Sequence, residues 1–444
     1  MNLESAARFV LDEGKKRNID QFDLIATDSE DTGIEVFKGR ISQTETSRSR
    51  GLGIRVLVGS RPGYSYSERF SAEALTRMLQ DALDQTSITD PLDLDLPEPE
   101  ELPDLDLKQY DPSLETLGFA WMRELGKNLD EAAWKSDPRI ENVPQVGVGK
   151  SKTESVIANS KGVFVFRKTN MVYAGTGMVA TDGNIKKTGS FFRSGRNLNR
   201  LSVSEIVNEA KNRATELLGS KSLSSGVYPV VLSNRISPQI FGMFSSPFFA
   251  DSVQKGQSRL LGKLGQQIAW NGLSILCEPH LPDFPGSRLI DSEGVLTHPR
   301  TVVKNGELSS YLHNLESAKK EGVPPTGNGV RSYSGRAGTA FSNLIVPFGS
   351  STKEELLSAH NHCIYITKLE GGAGCSHVSG EISIGIQGIY YKNGVPQYPV
   401  DRITMNTNFF DLLKNIEGIS NEYSDTYSSI KVPDVLISDV NIAG

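Results

Sequence analysis

Two short stretches concentrate the side chains able to bind a metal or attack a substrate. His360, His362 and Cys363 stand close together, and Cys375 and His377 follow the glycine run Gly371-Gly372-Ala373-Gly374. On a strand, residues two apart share a face. His360/His362 and Cys375/His377 could then each present a ligand pair, and zinc accepts tetrahedral His and Cys ligands. No Glu lies beside them to act as general base, and His360-Asn-His362 equally suits the polar end of a helix. Structural or surface roles are the plainer reading, with a metal site on these five residues as the sharper alternative. Asp291 and Glu293, within Gly286-Ser-Arg-Leu-Ile-Asp-Ser-Glu-Gly294, form a paired-carboxylate loop. Paired acids can divide acid and base work. More often such a loop spends them on Asx turns and an ion pair, here with Arg288. Cys277 ends an apolar run and reads as a buried small hydrophobe.

Other chemistries are excluded by what is missing. No GxGxxG sits between a strand and a helix, no GxxxxGK[ST] exists, and no GxSxG elbow occurs. Six His and three Cys in 444 residues leave little material for metal chemistry and none for a disulfide framework. A net charge of −6 and a pI near 5.7 argue against a nucleic-acid footprint, which needs a basic stripe. The first residues mix Asn2, Glu4 and Arg8 into their apolar positions, unlike an export signal, and no apolar stretch is long enough to span a membrane. The expected location is the cytoplasm.

The elements that would carry these residues follow from periodicity. Leu3, Ala6, Ala7, Val10 and Leu11 predict a helix that Gly14 ends. Short β runs are expected at 22–26, 33–37 and 52–58, then a helix opened by Ser71. A helix is expected over about 113–133, β-rich sequence over 139–193, and a helix from Val203 capped by Ser202. The second half opens with a strand over 228–232 and a helix with Ser237 as cap and Pro238 in its first position. Short strands and Gly turns dominate thereafter, with Lys304-Asn-Gly306 and Lys392-Asn-Gly394 as hairpin signals. The expected class is α+β in two domains: 1–222, mixed α/β with antiparallel strands, and 223–444, β-rich with a few helices. Residues 88–107 stand apart. They carry eight Asp and Glu, no Lys or Arg, and Pro91, Pro97, Pro99 and Pro103. They read as an extended connector, with a strap for a basic partner as the alternative. The interleaved leucines favour a strap laid on the protein's own surface.

The second half resembles the TldD/PmbA family, historically called modulators of DNA gyrase. The resemblance rests on Ser225-Gly-Val-Tyr-Pro-Val-Val-Leu232, Ala250-Asp-Ser-Val-Gln-Lys-Gly256 and Gly262-Lys-Leu-Gly-Gln266, then on Asp291-Ser-Glu-Gly294, Gly335-Arg-Ala-Gly338, Ser342-Asn-Leu344 and Val378-Ser-Gly-Glu-Ile-Ser383. The tail Pro433–Gly444 is similar to the family's closing strand, and the first half fits more loosely. The resemblance implies a zinc peptidase family whose active subunit carries HExxxH on a helix, with an acidic residue just before an Ala-Asp pair. Counting back from Ala250-Asp251 puts Phe241, Gly242 and Ser246 on that motif and Phe249 on the acid. None is a zinc ligand or a base of the required kind. No His-Glu dipeptide occurs anywhere, and no Cys follows Cys375. Phe241, Phe244, Phe248 and Phe249 instead suit a core or a partner face.

The resemblance therefore implies the PmbA/TldE-type subunit. Such a subunit forms a heterodimer with a TldD-like HExxxH chain, and the zinc is expected in that partner. Unfolded or leader peptides are the expected substrates, held by strand addition to a sheet edge. Asp291, Glu293, Gly371, Gly372 and Gly374 are candidate chamber or peptide-binding residues; no catalytic or metal residue is assigned. A homodimer without the partner remains open. The rival readings are a self-sufficient metalloenzyme on the His360–His377 cluster and a non-enzymatic interaction protein acting on gyrase or an antitoxin.

Overall fold

A computed structural model describes all 444 residues. The chain is α+β, as its periodicity predicts. The first half is one antiparallel sheet of six long strands with helices on it. Chain order is α1 (Leu3–Lys16), β1 (Gln21–Phe37), β2 (Arg40–Val58), β3 (Arg61–Ser67), α2 (Ala72–Gln85), α3 (Phe119–Lys135), β4 (Ile140–Asn159), β5 (Phe164–Asp182), β6 (Ile185–Gly195) and α4 (Val203–Thr215). The sheet order is β3-β2-β1-β4-β5-β6.

The short β runs of the sequence merge into these strands. Polar stretches such as Thr27–Thr32 stay paired on both sides, so a break in apolar alternation is not a break in the strand. One face of β1 serves two cores: Phe22, Leu24 and Ala26 pack with α1 and α2, while Ile34 and Val36 pack with α3. Gly14 does not end α1. It is buried within the last turn, where an added Cβ would lie 2.4 Å from the Phe22 ring. The glycine is there for close packing rather than for a stop.

The opposite face of β1 and β2 meets the second half at Asp23, Arg55 and Leu57. The connector lies across this seam. Leu94 and Leu96 are buried with Leu57, Val295 and Leu315, while Asp93 and Asp95 alternate outward to Lys319. It is a strap on the protein's own surface, with no helix in residues 88–107.

The second half begins with β7 (Gly226–Leu232), α5 (Ser237–Met243) and α6 (Ala250–Gln254). In its main sheet β7 lies between His362–Glu370, which is parallel to it, and Val435–Ala443, which is antiparallel. Glu381–Lys392 and Val395–Asn408 continue the sheet, and pairing of Val395–Asn408 with Val435–Ala443 closes the ring. Closure removes the open edges a flat sheet would leave. Both predicted Asn-Gly hairpins form, with Asn305, Gly306, Asn393 and Gly394 at positive φ.

Candidate functional site

Ser237 opens α5 but does not cap it. Its buried hydroxyl has its one proton for the nearest of three carbonyls, Pro433 at 2.6 Å, with Ser233 and Val432 each at 3.1 Å, which ties the helix start to the C-terminal strands. The helix ends at Met243, and Ser246 begins a separate 3₁₀ turn. The positions expected to hold HExxxH therefore do not share one helix.

Their surroundings are apolar. Phe241 and Phe244 are 1% and 0% exposed. Phe409 lies edge-on to Phe241 at 5.9 Å and stacks on Phe244 at 4.8 Å. Phe248 and Phe249 pack on Phe341. A Cβ on Gly242 would meet the Ile430 side chain at 2.8 Å. Of the two roles expected for this aromatic row, core and partner face, the structure makes it core. Zinc does not fit here: the positions supply no imidazole, thiolate or carboxylate, and the Phe241 and Phe244 rings beside them offer the ion no ligand.

The glycine run lies beside this helix. A Cβ on Gly372 would sit 3.7 Å from the Met243 methyl, and Met243 is itself exposed. Gly371 takes φ +79°, so the chain turns there. Gly374 lies against the Ser383 carbonyl.

The His/Cys residues do not converge. His360 bonds Glu417 at 2.7 Å. His362 sits near the Tyr228 and Tyr390 rings. Cys363 is fully buried, and burial pushes its thiol up to about 11. Cys375 packs against the main core, while His377 is exposed. No three His, Cys, Asp or Glu side chains form a group that could hold a metal ion.

Asp291 and Glu293 are each 1% exposed, so they line no open chamber. The Asx turn is present: Asp291 Oδ1 accepts from the Glu293 and Val295 N–H groups, and Oδ2 accepts from Gly329 N–H. The ion pair is not with Arg288. Arg55 Nη1 reaches Glu293 at 2.9 Å, while its Nε and Nη2 grip Asp23 at 2.9 and 3.0 Å. Arg331 adds a longer contact to Asp23 at 3.3 Å. Burial would lower the Arg55 pKa, but Asp23 and Glu293 outweigh it and hold it above its ordinary value. Burial first, and the Glu293 charge second, push Asp291 up to about 7. Asp23 and Arg55 went unnoticed in the sequence. The available signal was a charge inside each of two apolar runs, Phe22-Asp-Leu-Ile25 and Ile54-Arg-Val-Leu57, that face each other in register.

One feature open to solvent stands out. β3 pairs only with Leu52–Val58 of β2. Residues 40–49 of β2 pair with β1 alone and are all exposed. Their outer edge carries unpaired backbone groups along an exposed, largely polar stretch, which is a template for strand addition.

Family models match along the chain: PmbA/TldA metallopeptidase domain 1 over residues 22–86, the central domain over 112–218 and the C-terminal domain over 225–444. The chain is 30% identical over 424 residues to the metalloprotease PmbA of Escherichia coli O157:H7, covering 94% of this chain and 91% of that protein. A crystal structure from Thermotoga maritima MSB8, described as a putative modulator of a DNA gyrase, superposes with a TM-score of 0.89 at 28% identity. It covers 99% of this chain and 100% of that one. TldE from Thermococcus kodakarensis shares the fold, with a TM-score of 0.83 at 21% identity over 99% of this chain and 100% of its own.

Proposed function

Because the chain belongs to the PmbA/TldD metallopeptidase family, we propose that it is a PmbA/TldE-type, non-catalytic subunit of a cytoplasmic TldD/TldE-type zinc peptidase. The observation that carries this reading is the aromatic core at Phe241, Phe244 and Phe409, at the positions where the count back from Ala250-Asp251 expects the HExxxH helix. Catalysis by a zinc-bound water needs ligands, a base and access for water. Ligands and base are absent from Phe241, Gly242 and Ser246, so in this reading the partner supplies them. In this reading a TldD-like HExxxH chain is that partner, and this chain helps enclose unfolded or leader peptides. The free edge of β2 over residues 40–49 supports the reading, since it offers main-chain hydrogen bonds with little demand on sequence. So does Met243 beside the glycine run, an exposed apolar contact next to the altered helix. No helix is long and apolar enough to cross a membrane.

Affinity capture of the full chain from its native cell, with mass spectrometry of what it retains, tests the assignment. An HExxxH protein of the same family in near-equal amount is expected. Stable capture of a different partner without one would favour the interaction-protein reading and overturn this one.

A further inference from the structure

We propose that Arg167, Arg196 and Arg288 form a binding site for a phosphate-type oxyanion where the connector and the two halves meet. The argument starts from unbalanced charge. Arg196 donates to Asp283 and to the Tyr427 hydroxyl, each at 2.7 Å. Arg167 finds only neutral acceptors, the Gln109 side chain at 2.8 Å and the Ser287 carbonyl at 2.9 Å. The Arg288 guanidinium makes no hydrogen bond or ion pair, and its Nε and Nη2 are shut off from solvent without a partner. Arg196 Nε is likewise orphaned, on a side chain only 10% exposed. Asp291 acts on Arg288 through space, but its oxygens are already occupied by three main-chain N–H groups.

Three guanidiniums thus share one directly bonded carboxylate. Buried polar groups are normally paired, and each orphan asks for a missing partner. The groups also feel one another: burial, then the charges of Arg288 and Arg196, pull Arg167 down to about 10. Planar guanidinium forks suit the several oxygens of a phosphate.

A way in exists. A cleft of 640 Å³ opens beside Arg196 and Asp283, lined also by Lys108, Tyr110, Asn197 and Asn199. Two further acids line it, Asp106 accepting from Lys108 N–H and Asp111 from Ser113 N–H. Arg167 comes from β5, Arg196 from just beyond β6, Gln109 from just past the connector, and Arg288 and Tyr427 from the second half. A bound anion would fasten all of these together.

Isothermal titration of the full chain with inorganic phosphate tests this, at ionic strength fixed with chloride and with acetate as a parallel arm. Saturable phosphate binding is expected, weakened about tenfold or more in Arg288→Met. Arg402→Gln, on an exposed side chain elsewhere, should bind as the parent does. Arg288→Met removes an unpaired charge from the interior, so it should melt no lower than the parent without phosphate. Lost binding in a variant that still melts normally cannot be misfolding. If that variant fails to fold, Arg167→Gln serves in its place. No saturable binding, unchanged binding in these variants, or an acetate response equal to that of phosphate would each overturn the proposal.

Discussion

Replacing Arg55 with methionine keeps roughly the side-chain volume and deletes the charge at the seam between the halves. Asp23 and Glu293 lose three hydrogen bonds of 2.9–3.0 Å, in a place where the Arg55 side chain is 2% exposed. Removing one partner of a buried ion pair costs ~3–5 kcal/mol, because the remaining charge stays desolvated. Arg331, at 3.3 Å from Asp23, softens the loss on that side, so the expected cost is near ~3 kcal/mol. Against a typical net stability of ~5–15 kcal/mol this is a large fraction. The sharper expectation concerns Glu293→Gln in the Arg55→Met background. It removes one stranded charge and keeps an acceptor for Leu315 N–H, so the double variant should be more stable than Arg55→Met alone. Urea unfolding followed by tryptophan fluorescence reads both halves, since Trp121 and Trp134 lie in the first and Trp270 in the second. A cost below ~1 kcal/mol for Arg55→Met, the range of an exposed pair, would refute the reasoning. So would a Glu293→Gln cost that simply adds.

Restoring the motif as Phe241→His, Gly242→Glu and Ser246→His should not restore a zinc peptidase. The residues fall on two separate turns inside an apolar shell, and losing the Phe241 ring costs ~3–5 kcal/mol; zinc content and melting of the variant check this. Asp291 makes stability depend on pH. Its pKa is raised from 3.8 to about 7 on folding, so the folded state holds the extra proton. That contribution is fully present below about pH 4 and is lost as pH rises toward 7. Melting temperatures between pH 4 and 7 should therefore fall less steeply in Asp291→Asn than in the parent. Gly53→Ala would put a Cβ 1.8 Å from the Tyr333 carbonyl oxygen and should lift the 331–336 loop off β2, which limited proteolysis of that loop would detect as faster cleavage.

Local chemistry was legible in the sequence where a residue acts on its own neighbours. Ser71 and Ser202 cap helices α2 and α4, the Asn-Gly pairs turn their hairpins, and Cys277 is buried. The extended connector was readable from its prolines, and its course from every second residue being Leu at 92, 94 and 96. What failed depended on residues far away in the chain. Glu293 chose Arg55, separated from it by 238 positions, over its neighbour Arg288. Gly14 resembled a helix stop until the Phe22 ring explained it. Ser237 resembled a cap until Val432 and Pro433 claimed its hydroxyl.

The central claim is that this chain contributes enclosure, not chemistry, to a peptidase. Bound zinc and peptide cleavage, measured on the purified chain alone and again after mixing with an HExxxH-bearing family member, test it most directly. The account predicts neither stoichiometric zinc nor cleavage from the chain alone, and in the mixture zinc-dependent cleavage above that of the HExxxH chain by itself. Stoichiometric zinc and peptide cleavage by the chain alone, both lost in Cys375→Ser/His377→Ala, would contradict it.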